Sequence, residues 1–248
     1  MSRLLFVAAL LAVPVPGAAQ SLAEHVRAAG DGALRLSFAA RAGVCGNGTN
    51  ISIRGHRDID DEWESDCESG PVRVSLRMAG GRVSEAETRV GGRWKAGAGG
   101  TDLGMVSAPE AARLLIDLTR RASDGGALLS AATLADSVVV WPDLLRLAKE
   151  TGLPGDTRRQ AVFWLSQAAG EEATRGLNEI VGDDRGDLEV REHAVFALSQ
   201  RPDEEGVPAL IRIARTNPHP ELRRKALFWL GQSDDPRAAQ LLLEIVNQ

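Results

Sequence analysis

The sequence predicts a mainly α protein: an α-solenoid of short helical hairpins preceded by a small disulfide-stapled antiparallel β segment. Three observations carry this. First, the phrase Thr157-Arg-Arg-Gln-Ala-Val-Phe-Trp-Leu-Ser-Gln167 returns as Val190-Arg-Glu-His-Ala-Val-Phe-Ala-Leu-Ser-Gln200, 33 residues on, and as Leu222-Arg-Arg-Lys-Ala-Leu-Phe-Trp-Leu-Gly-Gln232, 32 residues later. A fixed step of this size marks units that bury their apolar faces only against their neighbours. Second, another helical pattern follows each copy, at Thr174-Arg-Gly-Leu-Asn-Glu-Ile-Val, Val207-Pro-Ala-Leu-Ile-Arg-Ile-Ala and Ala239-Gln-Leu-Leu-Leu-Glu-Ile-Val, and precedes the first copy at Trp141-Pro-Asp-Leu-Leu-Arg-Leu-Ala. Third, Leu34–Ala39, Asn50–Arg54 and Val72–Met78 alternate apolar and polar positions, which is the period of half-buried strands.

In chain order, residues 1–20 have the pattern of a signal peptide. Arg3 supplies a minimal positive region, Leu4–Val15 is apolar but too short to span a bilayer, and Gly17-Ala-Ala19 offers small residues for cleavage next to Gln20. The mature chain is therefore expected to be periplasmic or secreted, with no membrane span. Residues 21–31 suit a short helix or a loose segment. Residues 21–95 form the β-rich part. Strands are expected at Leu34-Arg-Leu-Ser-Phe-Ala, Asn50-Ile-Ser-Ile-Arg, Val72–Met78 and Arg82–Val90, the last two closing a hairpin across Ala79-Gly-Gly81. The chain has two cysteines, Cys45 and Cys67, and in an oxidising compartment such an isolated pair forms a disulfide, the alternative being two buried thiols. Residues 96–107 are rich in glycine without periodicity and are expected to be a flexible linker. Ser107-Ala-Pro-Glu110 then combines an N-cap, a first-turn proline and a first-turn acid, so a helix starts there. The solenoid occupies 108–248, opening with a half-unit at Pro109 and a degenerate first helix over Ala127–Val138.

The pattern Arg158/Ala161/Leu165, Arg191/Ala194/Leu198 and Arg223/Ala226/Leu230 resembles the short HEAT repeats of phycobilin-lyase-like bacterial proteins. The resemblance covers roughly residues 108–248 and leaves the β segment out. It implies a right-handed solenoid whose second helices line a concave, ligand-facing surface.

Among the repeated positions, the aromatic columns Phe163, Phe196, Phe228 and Trp164, Trp229 are expected to be repeat core. Arg158, Arg191 and Arg223, each preceded two residues earlier by an acid, fit a structural ladder between units, with an anion site as the alternative. Gln167, Gln200 and Gln232 stand where an amide satisfies open helix-end carbonyls. Arg113, Arg146, Glu179, Arg212 and Glu244 recur outside the apolar set of the second helices, and they are the candidate partner surface.

Other chemistry is not indicated. A formal net charge of −5 lacks the basic footprint of a nucleic-acid binder. His25, His56, His193 and His219 show no metal-ligand spacing, no catalytic constellation is present, and no cofactor motif occurs. The expected function is an exported protein-binding adaptor or scaffold for a protein or peptide partner, not an enzyme. The alternatives are a ligand- or chromophore-handling, lyase-like protein, or a calcium-binding module built on the acidic run at residues 58–66.

Overall fold

The computed structural model describes residues 21–53, 67–94, 99–168 and 170–247. Helix α1 (Leu22–Ala29) starts with a capping box, in which the Ser21 hydroxyl accepts from the Glu24 N–H and the Glu24 carboxylate accepts from the Ser21 N–H. Strands β1 (Gly32–Phe38), β4 (Val72–Ala79) and β5 (Arg82–Val90) lie in an antiparallel sheet, and β2 (Val44–Asn47) pairs with β3 (Asn50–Ile53) as a separate hairpin. The register sets Leu34 opposite Leu76, Leu36 opposite Val74 and Phe38 opposite Val72, so the alternation read in the sequence becomes one buried face. The β4–β5 turn uses Gly80 and Gly81 with φ of 58° and 70°, the left-handed pair a two-residue hairpin requires. Asp31 accepts from both of their N–H groups. The Cys45–Cys67 disulfide is present with a Cα–Cα distance of 5.2 Å, and closing its loop contributes about 3 kcal/mol by restricting the unfolded chain.

The stretch expected to be a linker contains a strand. β6 (Thr101–Met105) runs parallel to β1 and completes the sheet order β5-β4-β1-β6. Its side chains are mostly exposed, so it is held by backbone hydrogen bonds that need no apolar pattern, and nothing in its composition announces it. Gly100 enters it at φ +111°, where a Cβ would lie 2.5 Å from the Ala33 carbonyl oxygen.

Helix α2 (Ala108–Thr119) starts at the predicted cap, with the Ser107 hydroxyl accepting from the Glu110 N–H. Helix α3 (Gly125–Thr133) packs on α2, and α4 (Trp141–Lys149) packs on the next helix; three hairpins follow: α5 (Gly155–Ser166) with α6 (Glu171–Gly182), α7 (Leu188–Ser199) with α8 (Asp203–Thr216), and α9 (Pro220–Leu230) with α10 (Pro236–Val246). The first helices α3, α5, α7 and α9 stack in one layer, and α4, α6, α8 and α10 in another. Ala161, Ala194 and Ala226 are fully buried between layers, with Leu165, Leu198 and Leu230 beside them. The sheet closes the first end of the array. Backbone hydrogen bonds join Val83 to Arg121 and Ser123, and join Arg41 to Leu134 and Ala39 to Asp136, while the sheet and helices share one continuous core.

Two of the aromatic positions are a correction. Phe163 is 39% exposed and Phe228 is 56% exposed, while Phe196 is half-buried and Trp164 and Trp229 are half-buried against the core. The buried positions of α5 (Arg158, Ala161, Val162 and Leu165) define an inward arc. At 100° per residue Phe163 lies roughly 150° from the middle of that arc. The same periodicity that buries the alanine turns the phenylalanine outward.

The arginine ladder is structural, as the sequence suggests. Arg158 bonds Asp187 (3.2 Å), and Arg191, only 2% exposed, bonds the Val181 carbonyl and Asp184. Arg223 bonds the carbonyls of Asn217 and Pro218. Arg201, which belongs to no repeated column, makes the densest set of bonds. It donates to the carbonyls of Ser166 (2.9 Å), Ala168 (2.6 Å) and Gly170 (3.0 Å), to the Thr174 hydroxyl (2.9 Å) and to Glu205 (3.0 Å), and so ties α5, α6 and α8 together. The Thr174 hydroxyl and the Arg201 guanidinium hold the Glu205 carboxyl below its ordinary value of 4.5. Arg201→Met is expected to destabilise the protein by about 2–4 kcal/mol, because the helix-end carbonyls lose a buried donor and the half-buried Glu205 loses its counter-charge. Because Glu205 is depressed in the folded state, its contribution is present above pH 4.5 and is lost as pH falls through the folded value. Thermal melts between neutral pH and pH 3 should show a shallower acid slope in Glu205→Gln than in the native protein.

Candidate interaction surfaces

Two rows of side chains, one on each layer of helices, are exposed and repeat with the units. On the first helices the row is aromatic. Phe163 and Trp164 meet edge to face with centroids 5.1 Å apart, and Phe228 and Trp229 do the same at 5.0 Å. Phe196 of α7 packs on Trp229 of α9 at 5.0 Å, and His193 lies 5.6 Å from Phe196. The aromatic row therefore runs continuously from α7 to α9 and continues on α5 one layer away. Buried indole N–H groups of Trp164 and Trp229 have no acceptor. Next to Phe163 and His193 is a depression of about 430 Å³, whose other walls include Asp124, Asp156, Arg159 and Gln160. Arg159 pairs with Glu189 of the next unit at 2.8 Å and also with Asp156, and Lys225 pairs with Glu192 at 3.3 Å. Burial first, and then the positive charges of Arg159 and Lys225, lower the His193 pKa below its ordinary value of 6.5, so the ring is neutral at pH 7.

On the second helices the row is charged, and the structure places its predicted members at exposed or half-exposed positions. Arg113 is exposed on α2. Arg146 pairs with Asp143 in its own first turn. Glu179 of α6 pairs with Lys149 of α4 at 3.5 Å, and Arg212 of α8 donates to the Asn178 side chain of α6 at 2.6 Å. Glu244 of α10 pairs with Arg215 of α8. Glu179, Arg212 and Glu244 thus form a ladder between successive units. Exposed pairs of this kind contribute roughly 0–1 kcal/mol each, so they align the units more than they hold them. Among the described residues, no group of three His, Cys, Asp or Glu side chains is placed to hold a metal ion, and no helix is long and apolar enough to cross a membrane. The acidic run at 58–66, with Trp63, and the leader at 1–20 lie outside the described residues.

Stacked antiparallel helix pairs at a step of 32 to 33 residues, each covering the next, define an α-solenoid repeat protein. A family model described as HEAT repeats matches residues 184–248, which hold the last two hairpins with their Arg191/Ala194/Leu198 and Arg223/Ala226/Leu230 patterns. Over that stretch the chain carries HEAT repeats. No curated protein shows a significant match to it.

The surface and core roles of the repeat residues are separable by stability. Leu165→Ala is expected to cost about 2–5 kcal/mol, as for a fully buried leucine, whereas Phe228→Ala should cost about 1 kcal/mol or less. Urea unfolding of the two variants checks this. Equal losses would return Phe228 to the core.

Proposed function

We propose that the protein is an exported scaffold that holds a polypeptide partner against the aromatic row of its first helices. The observation that carries this reading is the exposure of Phe163 and Phe228 in a row continued by Trp164, Phe196 and Trp229. Soluble proteins rarely keep large aromatic side chains in repeated surface rows without a use for them, and aromatic anchors dominate protein interfaces. HEAT repeats suggest a protein-interaction scaffold, which agrees with this use. The charged second-helix row, with Arg113, Arg146, Glu179, Arg212 and Glu244, is the competing contact surface. Most of its members already have partners within the chain, so a ligand there would have to displace bonds and not simply cover apolar surface.

Site-specific photocrosslinking decides between the surfaces. A crosslinking side chain at position 163 or 228 is expected to trap a protein from an envelope extract, and Phe196→Ser is expected to reduce that trapping. A crosslinker at position 113 or 146 should trap little. Trapping confined to 113 and 146 would assign the partner to the second helices instead.

Export rests on the apolar segment Leu4–Val15 with its small residues before Gln20, and on the Cys45–Cys67 bond, which belongs to an oxidising compartment. Cleavage after Gln20 would leave Ser21 as the amino terminus. Its ammonium would then face the Glu24 carboxylate that already accepts from the Ser21 nitrogen at 2.8 Å, strengthening the cap of α1. Mass spectrometry of the protein recovered from cells is expected to find an amino terminus at Gln20 or Ser21. An intact Met1 in the soluble cytoplasmic fraction would remove this part of the reading.

A further inference from the structure

A second concave site lies where the sheet meets the array. It is a cleft of about 210 Å³ walled by Arg41, Val138–Val140, Trp141, Trp164 and Gln167. The two sides are fixed to each other, since the Arg41 N–H donates to the Leu134 carbonyl at 2.8 Å and the Asp136 N–H to the Ala39 carbonyl at 3.0 Å. Ser137, next to the valine run, is a non-glycine residue at φ 56°, a conformation that persists only where the surroundings enforce it. The walls are mostly apolar, and their polar side chains are Arg41, Thr133, Gln167 and the indoles of Trp141 and Trp164, of which Arg41 alone carries a charge. Arg41 makes no side-chain hydrogen bond or ion pair among the described residues, and its Nε is buried without a partner. The indole N–H of Trp164, a residue of the same wall, is also buried without an acceptor. Burial lowers the Arg41 pKa, and among the described residues no carboxylate opposes that effect.

Arg41 is half-buried, and a partly desolvated guanidinium that makes no side-chain bond among the described residues is a ready partner for an anion. The walls state which anion. A single guanidinium matches one negative charge, and its fork fits a carboxylate with two parallel bonds. The two indoles and the valines fit an apolar body. The volume is below the roughly 300–1,000 Å³ of sites for drug-sized ligands, so the ligand is small. We propose that this cleft binds a small, free apolar monocarboxylic acid, with its carboxylate on Arg41 and its body between Trp141, Trp164 and Val138–Val140. The site shares Trp164 with the aromatic row but stands independently of the scaffold reading.

The test follows the indole ¹⁵N–¹H signals of the mature protein during titration with phenylacetate and with its neutral analogue phenylacetamide. Phenylacetate should shift the Trp141 and Trp164 signals saturably and leave those of Trp94 and Trp229 in place. Phenylacetamide should bind at least about tenfold more weakly, a difference of 1.4 kcal/mol. Arg41→Gln should weaken phenylacetate by a similar factor, and Arg41→Lys should recover part of the loss. Val139 is 70% exposed, so Val139→Asp tests the same site with a variant whose folding is secure, and its added negative charge should also weaken the acid. Equal binding of acid and amide, indifference to both Arg41→Gln and Val139→Asp, or no shift of either indole would overturn the proposal. Tighter binding of acetyl-Ala-Ala-Phe with a free carboxyl terminus than of phenylacetate would also overturn it, by giving the cleft to the end of a polypeptide.

Discussion

Each helical hairpin in this protein carries apolar surface on two sides, and only the next hairpin can cover it. That constraint sets the spacing of the units and the residues at their interfaces. Alanine at positions 161, 194 and 226 lets the first helices approach closely, and leucine four residues later fills the layer behind it. An array built this way has an open end, and at its start the sheet closes it. Hydrogen bonds from Val83 and from residues 39–41 continue the helical layers into the sheet, so the two parts share one core. At the other end, α10 leaves Leu243, Ile245 and Val246 exposed, in the positions that α8 fills with the half-buried Ile211 and the buried Ile213 and Ala214.

Polar groups trapped between the layers impose a second requirement. Every helix end presents carbonyls without intrahelical partners, and in a stacked array many of those ends are covered by the next unit. Arginine meets this need because one fork serves several acceptors from a long stem. Arg191 reaches the end of α6, Arg223 the segment after α8, and Arg201 the end of α5. The paired surface acids and bases add alignment, while these buried forks close the array.

How much of this was legible in the sequence follows from where each feature is encoded. The stacked hairpins, the β4–β5 turn at Gly80-Gly81 and the Cys45–Cys67 bond are written in local pattern and composition, and they appear as expected. Phe163 and Phe228 were misassigned as core although the information was present, since counting 100° per residue from Ala161 carries Phe163 to the outer face. Strand β6 and Arg201 were not legible. The strand is held by its backbone and shows exposed side chains, and Arg201 falls in a loop where no other unit has an arginine, so neither composition nor repetition marks it. The Arg41 cleft joins residues about a hundred positions apart in sequence, and only the docking of the sheet on the helices brings them together.

The distribution of unmet bonding capacity separates scaffold from function. On the second helices, charges that face water are mostly bonded to a neighbour, so that surface is largely satisfied by the chain itself. On the first helices and at the junction with the sheet, the residues with unmet needs are aromatic rings in water and donors without acceptors. Leaving a buried donor unsatisfied costs about 1–3 kcal/mol, more for a charged group, whereas a solvated charge costs almost nothing. Trp164 belongs to both places, with its ring beside exposed Phe163 and its side chain in the wall of the Arg41 cleft. A ligand in the cleft and a partner on the aromatic row would therefore meet the same side chain, and the orientation of that indole is the physical route by which occupancy of one site would be felt at the other.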